Sequence, residues 1–402
     1  MAEGALQGFG WVDWAVVAGF LVGVTVLGER LAGKQSSIRD FFLGGRRLPW
    51  YAVAASIVAT EISAVTLVGL PAVVFRDGGN LAYLQIGLFG SLIARWMIAL
   101  WLVPAYYERE IYSPYDYMGQ RLGGRVRGAT TTLFALGGVL GQSARVYLIA
   151  VVLEVILHSE LGWVEAQTGL PPLVSAVSAI VLVSLLWTLM GGITTVVWTD
   201  ALLFCVFLAA AVIALVTVVS GVEGGVGEVL RVGGEAGKLQ LVDTTLTLRK
   251  PYTIWAALVA QSWAGLAPYG VDQLMAQRLF CCRGVAEARK AIVASYAGVA
   301  VIVLVGLVGV ALYAWYRHHP LTGEALALYE GDPDRIFPIF VLEAIPTGLR
   351  GLILAGVFAA AISSLDSILA ALSQTVLSAV YLPWRERNRP AGFDEADEHR
   401  RA

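Results

Sequence analysis

The sequence is poor in charge and in reactive side chains. Only 14% of its 402 residues are Asp, Glu, Lys or Arg, against roughly 25% in an ordinary soluble domain, so a soluble globular fold is excluded. Three cysteines (Cys205, Cys281, Cys282) and four histidines (His158, His318, His319, His399) show no metal-ligand spacing. That excludes a disulfide framework and a zinc site. With a formal net charge of -2 there is no basic field for nucleic acid. No nucleophile lies in a pattern with a base, and the chain is not read as an enzyme.

What the chain has instead is apolar length. Hydrophobic residues make up 57% of it and its mean hydropathy is +0.71. Nine apolar runs stand out, at 11–28, 50–73, 81–106, 129–157, 172–190, 195–219, 252–275, 292–316 and 351–382. Each suits the roughly 30 Å hydrocarbon layer of a bilayer. This predicts an all-α polytopic membrane protein with about nine transmembrane helices. The opening MAEGALQGFG carries no Lys or Arg, unlike a cleavable signal peptide, so the run from Trp11 is read as a retained helix. Two longer polar stretches, 221–251 and 317–350, read as solvated external connectors. The adjacent pair Gly137 and Gly138 and the spaced pair Gly137 and Gly141 in the fourth run suit close helix packing.

Orientation follows from the distribution of Lys and Arg. One side holds Arg30, Lys34, Arg39, Arg46 and Arg47, then Arg109, Arg121, Arg125 and Arg127, then Arg278, Arg283, Arg289 and Lys290, then five arginines of the tail. The other side holds fewer, mostly in the two long connectors. The N-terminus is therefore expected outside and the C-terminus in the cytoplasm.

Ionisable groups inside apolar runs are costly and mark candidate sites. They are Glu61, Arg95, Arg145, Glu154, Asp200 and Asp366. Arg95 and Glu154 read best as structural pairs or span-end residues. In the ninth run Ser363, Asp366 and Ser367 fall at i, i+3 and i+4, one helix face, and Ala360 and Ser364 share the neighbouring face. Hydroxyls and a carboxylate on adjacent faces are hard oxygen ligands, suited to a hard cation. At about 1.5 Å of rise per residue, Asp200 and Asp366 can share one level, and residues 59–63 sit near the midplane. There the sequence ATEISAVTLVGLP mixes polar residues with Gly69 and Pro71, and the seventh run carries Gly265, Pro268 and Gly270 at a comparable place. Two interrupted helices in corresponding positions point to an inverted-repeat transporter.

Five blocks in order, DFFLGGRRLPW (40–50), ATEISAVTLVGLP (59–71), GGITTVVWTD (191–200), DQLMAQR (272–278) and PTGLRGLILAGVFAAAISSLDS (346–367), resemble the sodium/solute symporter family, whose members carry sugars, proline, sialic acid, iodide and vitamins. The resemblance runs from about Trp11 to Leu382. It implies a LeuT-like core of two inverted five-helix repeats after one extra N-terminal helix. Within one transporter domain over 1–402, the extra helix would be 11–28, the first repeat 50–219 and a partial second repeat 252–382, with 383–402 a charged cytoplasmic tail. The family continues for at least two more core helices, so the second repeat is expected to be incomplete here.

Carried over by position, the resemblance implies a sodium site from the carbonyls of Ala59, Ile62 and Ala360 and the hydroxyls of Ser363 and Ser364. It implies a second sodium or proton site at Asp200, Asp366 and Ser367, and a solute pocket at Glu61, Val65 and Thr66 with Tyr269 as a gate. Val65 and Thr66 argue against a sugar. Arg145 could clamp a carboxylate, favouring an organic or amino acid, or could pair internally with Glu61; both readings stay open. The expected activity is sodium-coupled symport of a small organic solute across the cell membrane, with sodium as coupling ion and no organic cofactor. The alternatives are a transporter-like sensor working with a signalling partner, and a proton-coupled carrier using Asp200 and Asp366. Oligomeric state has no signature in the sequence.

Overall fold

A computed structural model describes residues 8–32, 38–109, 111, 113–190, 192–381 and 384. The expected tail, 383–402, lies outside the described residues apart from Trp384. Over its described residues each of the nine apolar runs is mainly helical. Among the described residues six helices are long and apolar enough to cross a bilayer, and two more pairs qualify if each bent pair is taken as one span.

The main elements are α1 (Trp11–Ala32), α2 (Trp50–Glu61), α3 (Ala64–Phe75), α4 (Leu81–Tyr107), α5 (Gly124–Ile156), α6 (His158–Thr168), α7 (Pro172–Met190) and α8 (Ile193–Gly221). They are followed by α9 (Gly225–Glu235), α10 (256–271), α11 (Gln273–Phe280), α12 (Val285–His318), α13 (Gly323–Gly331), α14 (Ile336–Ala344) and α15 (Leu349–Val376). The 29 residues of α8 rise about 43 Å, more than the hydrocarbon thickness. Within the hydrocarbon the helical ladder pairs the backbone groups of this segment with one another, as the absence of water in lipid demands, while its leucines, valines and alanines suit an apolar surrounding.

α15 is the central element. It packs against α1, α5, α7, α8 and α2, and 78% of its most apolar stretch is buried, against 22% for α1. Its small residues explain this position, since alanine, serine and glycine let neighbouring backbones approach. Ile368 of α15 lies 2.9 Å from where a Cβ on Gly138 of α5 would stand. Of the glycines expected to pack closely, Gly138 does so, whereas Gly137 and Gly141 face open space.

The extra helix α1 is fastened to α15 by a carboxylate. Asp13 is fully buried, and its Oδ1 accepts from the amides of Gly348 (2.6 Å) and Gly351 (3.0 Å) at the start of α15. Those amides belong to the turn where helix donors have no partner of their own, and a negative group there also meets the positive end of the helix dipole.

Two expectations need correction. The stretch 317–350 is not a plain connector, because α14 within it (IFPIFVLEA) is buried from Ile336 to Leu342. Its apolar side chains join the main core beside α3 and α5. The break in the seventh run also lies later than expected: Gly265 and Gly270 are helical, and the chain turns extended at Asp272 (φ -66°, ψ 129°) before α11. Gly270 is needed for contact, since a Cβ there would come within 2.7 Å of Leu102 on α4.

Candidate functional site: the broken helix and the buried charges

The chain leaves helical geometry between α2 and α3, which meet at 55°. Ile62 is extended (φ -85°, ψ 116°) and so is Ser63 (φ -109°, ψ 167°). The amide of Ile62 still closes on the Val58 carbonyl at 2.9 Å, but that of Ser63 turns to Thr66 Oγ1 at 3.4 Å. The carbonyls of Ala59 and Ile62 are thereby released from the helical ladder, which is what a cation needs from a broken helix. Thr66 Oγ1 thus takes part in the cap of α3.

Ala59, Ile62, Ala360 and Ser363 line one small cavity of about 10 Å³, walled otherwise by Phe204, Phe207 and other apolar side chains. That is roughly the room one water-sized occupant takes. Four of the five residues expected at a sodium site are therefore brought together. The fifth, Ser364, stands next to them on α15, its Oγ on the Ala360 carbonyl at 3.0 Å, and Gln142 of α5 donates to the Ser364 carbonyl at 2.5 Å.

A buried charge network lies beside this cavity. Asp200 of α8 accepts from Ser363 Oγ on Oδ1 (2.5 Å) and from Ser56 Oγ on Oδ2 (2.5 Å). Arg278 of α11 donates to Asp200 Oδ2 (2.8 Å), Ser56 Oγ (2.8 Å) and Ser367 Oγ (2.5 Å). Side-chain exposure is 0% for Arg278 and 1% for Asp200. Sequence reasoning placed Arg278 with the cytoplasmic loop cations and did not select Ser56. The DQLMAQR block was in view, but its arginine could be placed only by knowing that α11 turns inward after Asp272. Asp366 diverges from this group: its Oδ1 accepts from Thr188 Oγ1 of α7 at 3.2 Å, in a crevice shared with Thr25, Trp187 and Thr199. The expected set of Asp200, Asp366 and Ser367 is thus split, with Asp200 and Ser367 joined through Arg278.

At the end of α2, Glu61 pairs with the fully buried Arg95 of α4 through Arg95 Nη2 and Glu61 Oε2. Tyr269 of α10 donates its hydroxyl to Glu61 Oε1 at 2.6 Å, and the Arg95 guanidinium lies 4.2 Å from the Tyr269 ring centre. Arg95 Nε also reaches Ser295 Oγ at 3.0 Å. Arg95 is therefore the internal partner of Glu61, and the Arg145 pairing does not form. Arg145 is exposed on α5, where its charge acts on Asp272. Val65 lines a separate cleft of about 70 Å³ between α3 and α5, closed outward by Asp332, Asp334 and Arg335. The Arg76 to Asp334 ion pair ties that rim to the end of α3. A cavity of about 540 Å³ lies between residues 246–253 and the start of α10, away from these groups.

A broken helix, a small cavity at the break and buried charge beside it fit an ion-coupled carrier. A profile of the sodium:solute symporter family matches residues 41–392. The chain belongs to this family. Its members are sodium-coupled transporters and not enzymes. The sodium/sialic acid symporter SiaT of Proteus mirabilis is 27% identical over 381 residues, covering 94% of this chain and 72% of that protein. The mouse sodium-coupled monocarboxylate transporter 2 is 28% identical, over 90% of this chain and 56% of its own length. The human sodium/iodide cotransporter is 29% identical, over 93% and 56%. This chain therefore spans between 56% and 72% of the length of these relatives. A solved structure of a Na+-coupled sialic acid symporter in a substrate-bound outward-open state superposes with a TM-score of 0.82 at 24% identity, covering 98% of this chain and 77% of that one. The fold is accordingly the LeuT-like one, and the protein is an integral membrane protein.

Proposed function

We propose that this chain carries the ion and solute sites of a sodium-coupled symporter for a small organic anion, working by alternating access in the cell membrane. The N-terminus would lie outside and the C-terminus in the cytoplasm, as the loop cations suggest. Residues 50–219 would form the first repeat and 252–382 part of the second. The observation that carries the reading is the cavity where the released carbonyls of Ala59 and Ile62 meet Ala360 and Ser363. Sodium held between α2 and α15 by these groups and Ser364 would favour one arrangement of the broken helix, and the solute would bind just outside it.

The anion is favoured by chemistry. Glu61 is already neutralised by Arg95, and Arg145 projects from α5 with a planar fork that matches a carboxylate. Sialic acid, monocarboxylate and iodide in the names of the relatives are all anions. Tyr269, fixed between Glu61 and Arg95, would gate the pocket. One sodium ion moving through about 100 mV gains about 2.3 kcal/mol, and a tenfold gradient adds about 1.4 kcal/mol. For a neutral solute that supports accumulation of a few hundredfold; for a singly charged anion the voltage contribution cancels.

The test is uptake of radiolabelled acids into proteoliposomes, in sodium against choline. Ser364→Ala should raise the sodium concentration for half-maximal uptake at least tenfold. Unchanged sodium dependence in that variant would reject the site. Arg145→Gln should weaken acid uptake while leaving sodium binding in place.

A further inference from the structure

The surroundings of Asp200 are those of a cation site, and a cation that is part of the chain stands in them. One carboxylate and the hydroxyls of Ser56, Ser363 and Ser367, all buried, come from three helices and form a hard oxygen set. The Arg278 guanidinium bonds directly to three of the four groups, at 2.8, 2.8 and 2.5 Å. The fourth, Ser363, donates to the free oxygen of the same carboxylate. Arg278 Nη1 is anchored in turn on the Leu274 carbonyl at 2.7 Å, within its own helix. A guanidinium does not lose its proton in a protein, so the charge beside Asp200 is permanent. A mobile ion held jointly by Asp200 Oδ2, Ser56 and Ser367 would have to displace it.

We propose that Arg278 is a tethered cation occupying the place of a second coupling ion, so that this chain binds one sodium ion, at the cavity of Ala59, Ile62, Ala360 and Ser363. The proposal rests on the sodium reading of that cavity. Its consequence is that symport with a singly charged anion is electroneutral. Asp366 does not restore a second place in that set, because its carboxylate is turned to Thr188 between α7 and α15.

The test counts bound ²²Na+ on the purified chain and follows its melting temperature in sodium, with choline keeping ionic strength constant. The chains compared are wild type, Ser364→Ala, Arg278→Gln and the double variant Arg278→Gln with Asp200→Asn. Wild type should bind one ion per chain. Arg278→Gln should bind two, and its melting should show a second saturating rise with sodium, because the vacated carboxylate recruits the ion. The double variant, with no carboxylate to compensate, should return to one.

Two ions on wild type would overturn the proposal, and would point to Asp366 or to an Arg278 that swings away. One ion on folded Arg278→Gln would overturn it too, as would a failure of that variant to fold even in saturating sodium. A wild type that binds no sodium refutes the shared site instead; Arg278→Gln must then still gain one ion.

Discussion

The Glu61 to Arg95 pair makes an asymmetric demand on the two residues. Arg95 has a fully buried side chain, whereas Glu61 keeps 14% of its side-chain surface. Glu61→Gln leaves the guanidinium with a neutral amide oxygen beside Ser295 Oγ at 3.0 Å, the Ser91 carbonyl at 3.4 Å and the Tyr269 ring. None of these carries a negative charge. Breaking a buried pair so that one ion is stranded costs about 3–5 kcal/mol. Arg95→Gln strands the other partner, but Glu61 still reaches solvent and keeps the Tyr269 hydroxyl at 2.6 Å. Losing one partner of such a group costs about 1–3 kcal/mol. The double variant replaces the pair with two neutral amides, and its cost should fall below the sum of the single costs by about 1–3 kcal/mol, the coupling expected of groups in contact. Unfolding of the four proteins in mild detergent, by heat or denaturant at constant sodium, measures all of these terms. Equal costs for the two single variants, or additivity in the double one, would refute the argument that Arg95 is the buried member whose charge Glu61 must meet.

Asp13→Ala should loosen the start of α15, since it leaves the amides of Gly348 and Gly351 unpaired at about 1–3 kcal/mol each; faster hydrogen exchange confined to residues 348–353 would show it, and unchanged exchange would refute it. Gly309→Ala should destabilise by about 1–3 kcal/mol, because the new Cβ would come within 2.7 Å of the Pro71 carbonyl where α12 crosses α3; a melting temperature equal to wild type would count against that contact. In the loop before α10 the Thr245 hydroxyl, then Lys250 and the Thr245 amide, pull the Asp243 carboxyl down from 3.8 to about 2. Its contribution to loop order is therefore complete above about pH 3.8 and disappears as pH falls through about 2. Carbon-13 NMR of the Asp243 carboxyl checks this, and a midpoint near the ordinary value would refute it.

The membrane class, the mainly helical character of the nine apolar runs and the presence of a break in the second were legible in the sequence because each rests on local chemistry, although the break falls at Ile62 and Ser63 and not at Gly69 and Pro71, which lie inside α3. Apolar length reports burial in lipid, and a polar cluster beside Gly and Pro reports a helix that cannot run through. The hydroxyls and carboxylate of α15 could be read for the same reason, since i, i+3 and i+4 on a helix share a side whatever surrounds it. Family resemblance added the ion-site positions, and four of those five residues line one cavity.

Which charge meets which was not a local property. Glu61 lies near Arg95 and Tyr269, separated from them by 34 and 208 residues, and sequence reasoning had weighed Arg145 for that role. Arg278 looked like a loop cation until the extended turn at Asp272 directed α11 into the core, 78 residues from Asp200. The same holds for α14, too short to signal a span and yet buried from Ile336 to Leu342. A chain this apolar specifies by itself that it will be helical and in lipid, because every backbone donor must be met within its own segment. Pairing of the few charges is decided only by tertiary packing, because each buried ion needs a counter-charge within a few ångströms and the sequence does not encode those distances.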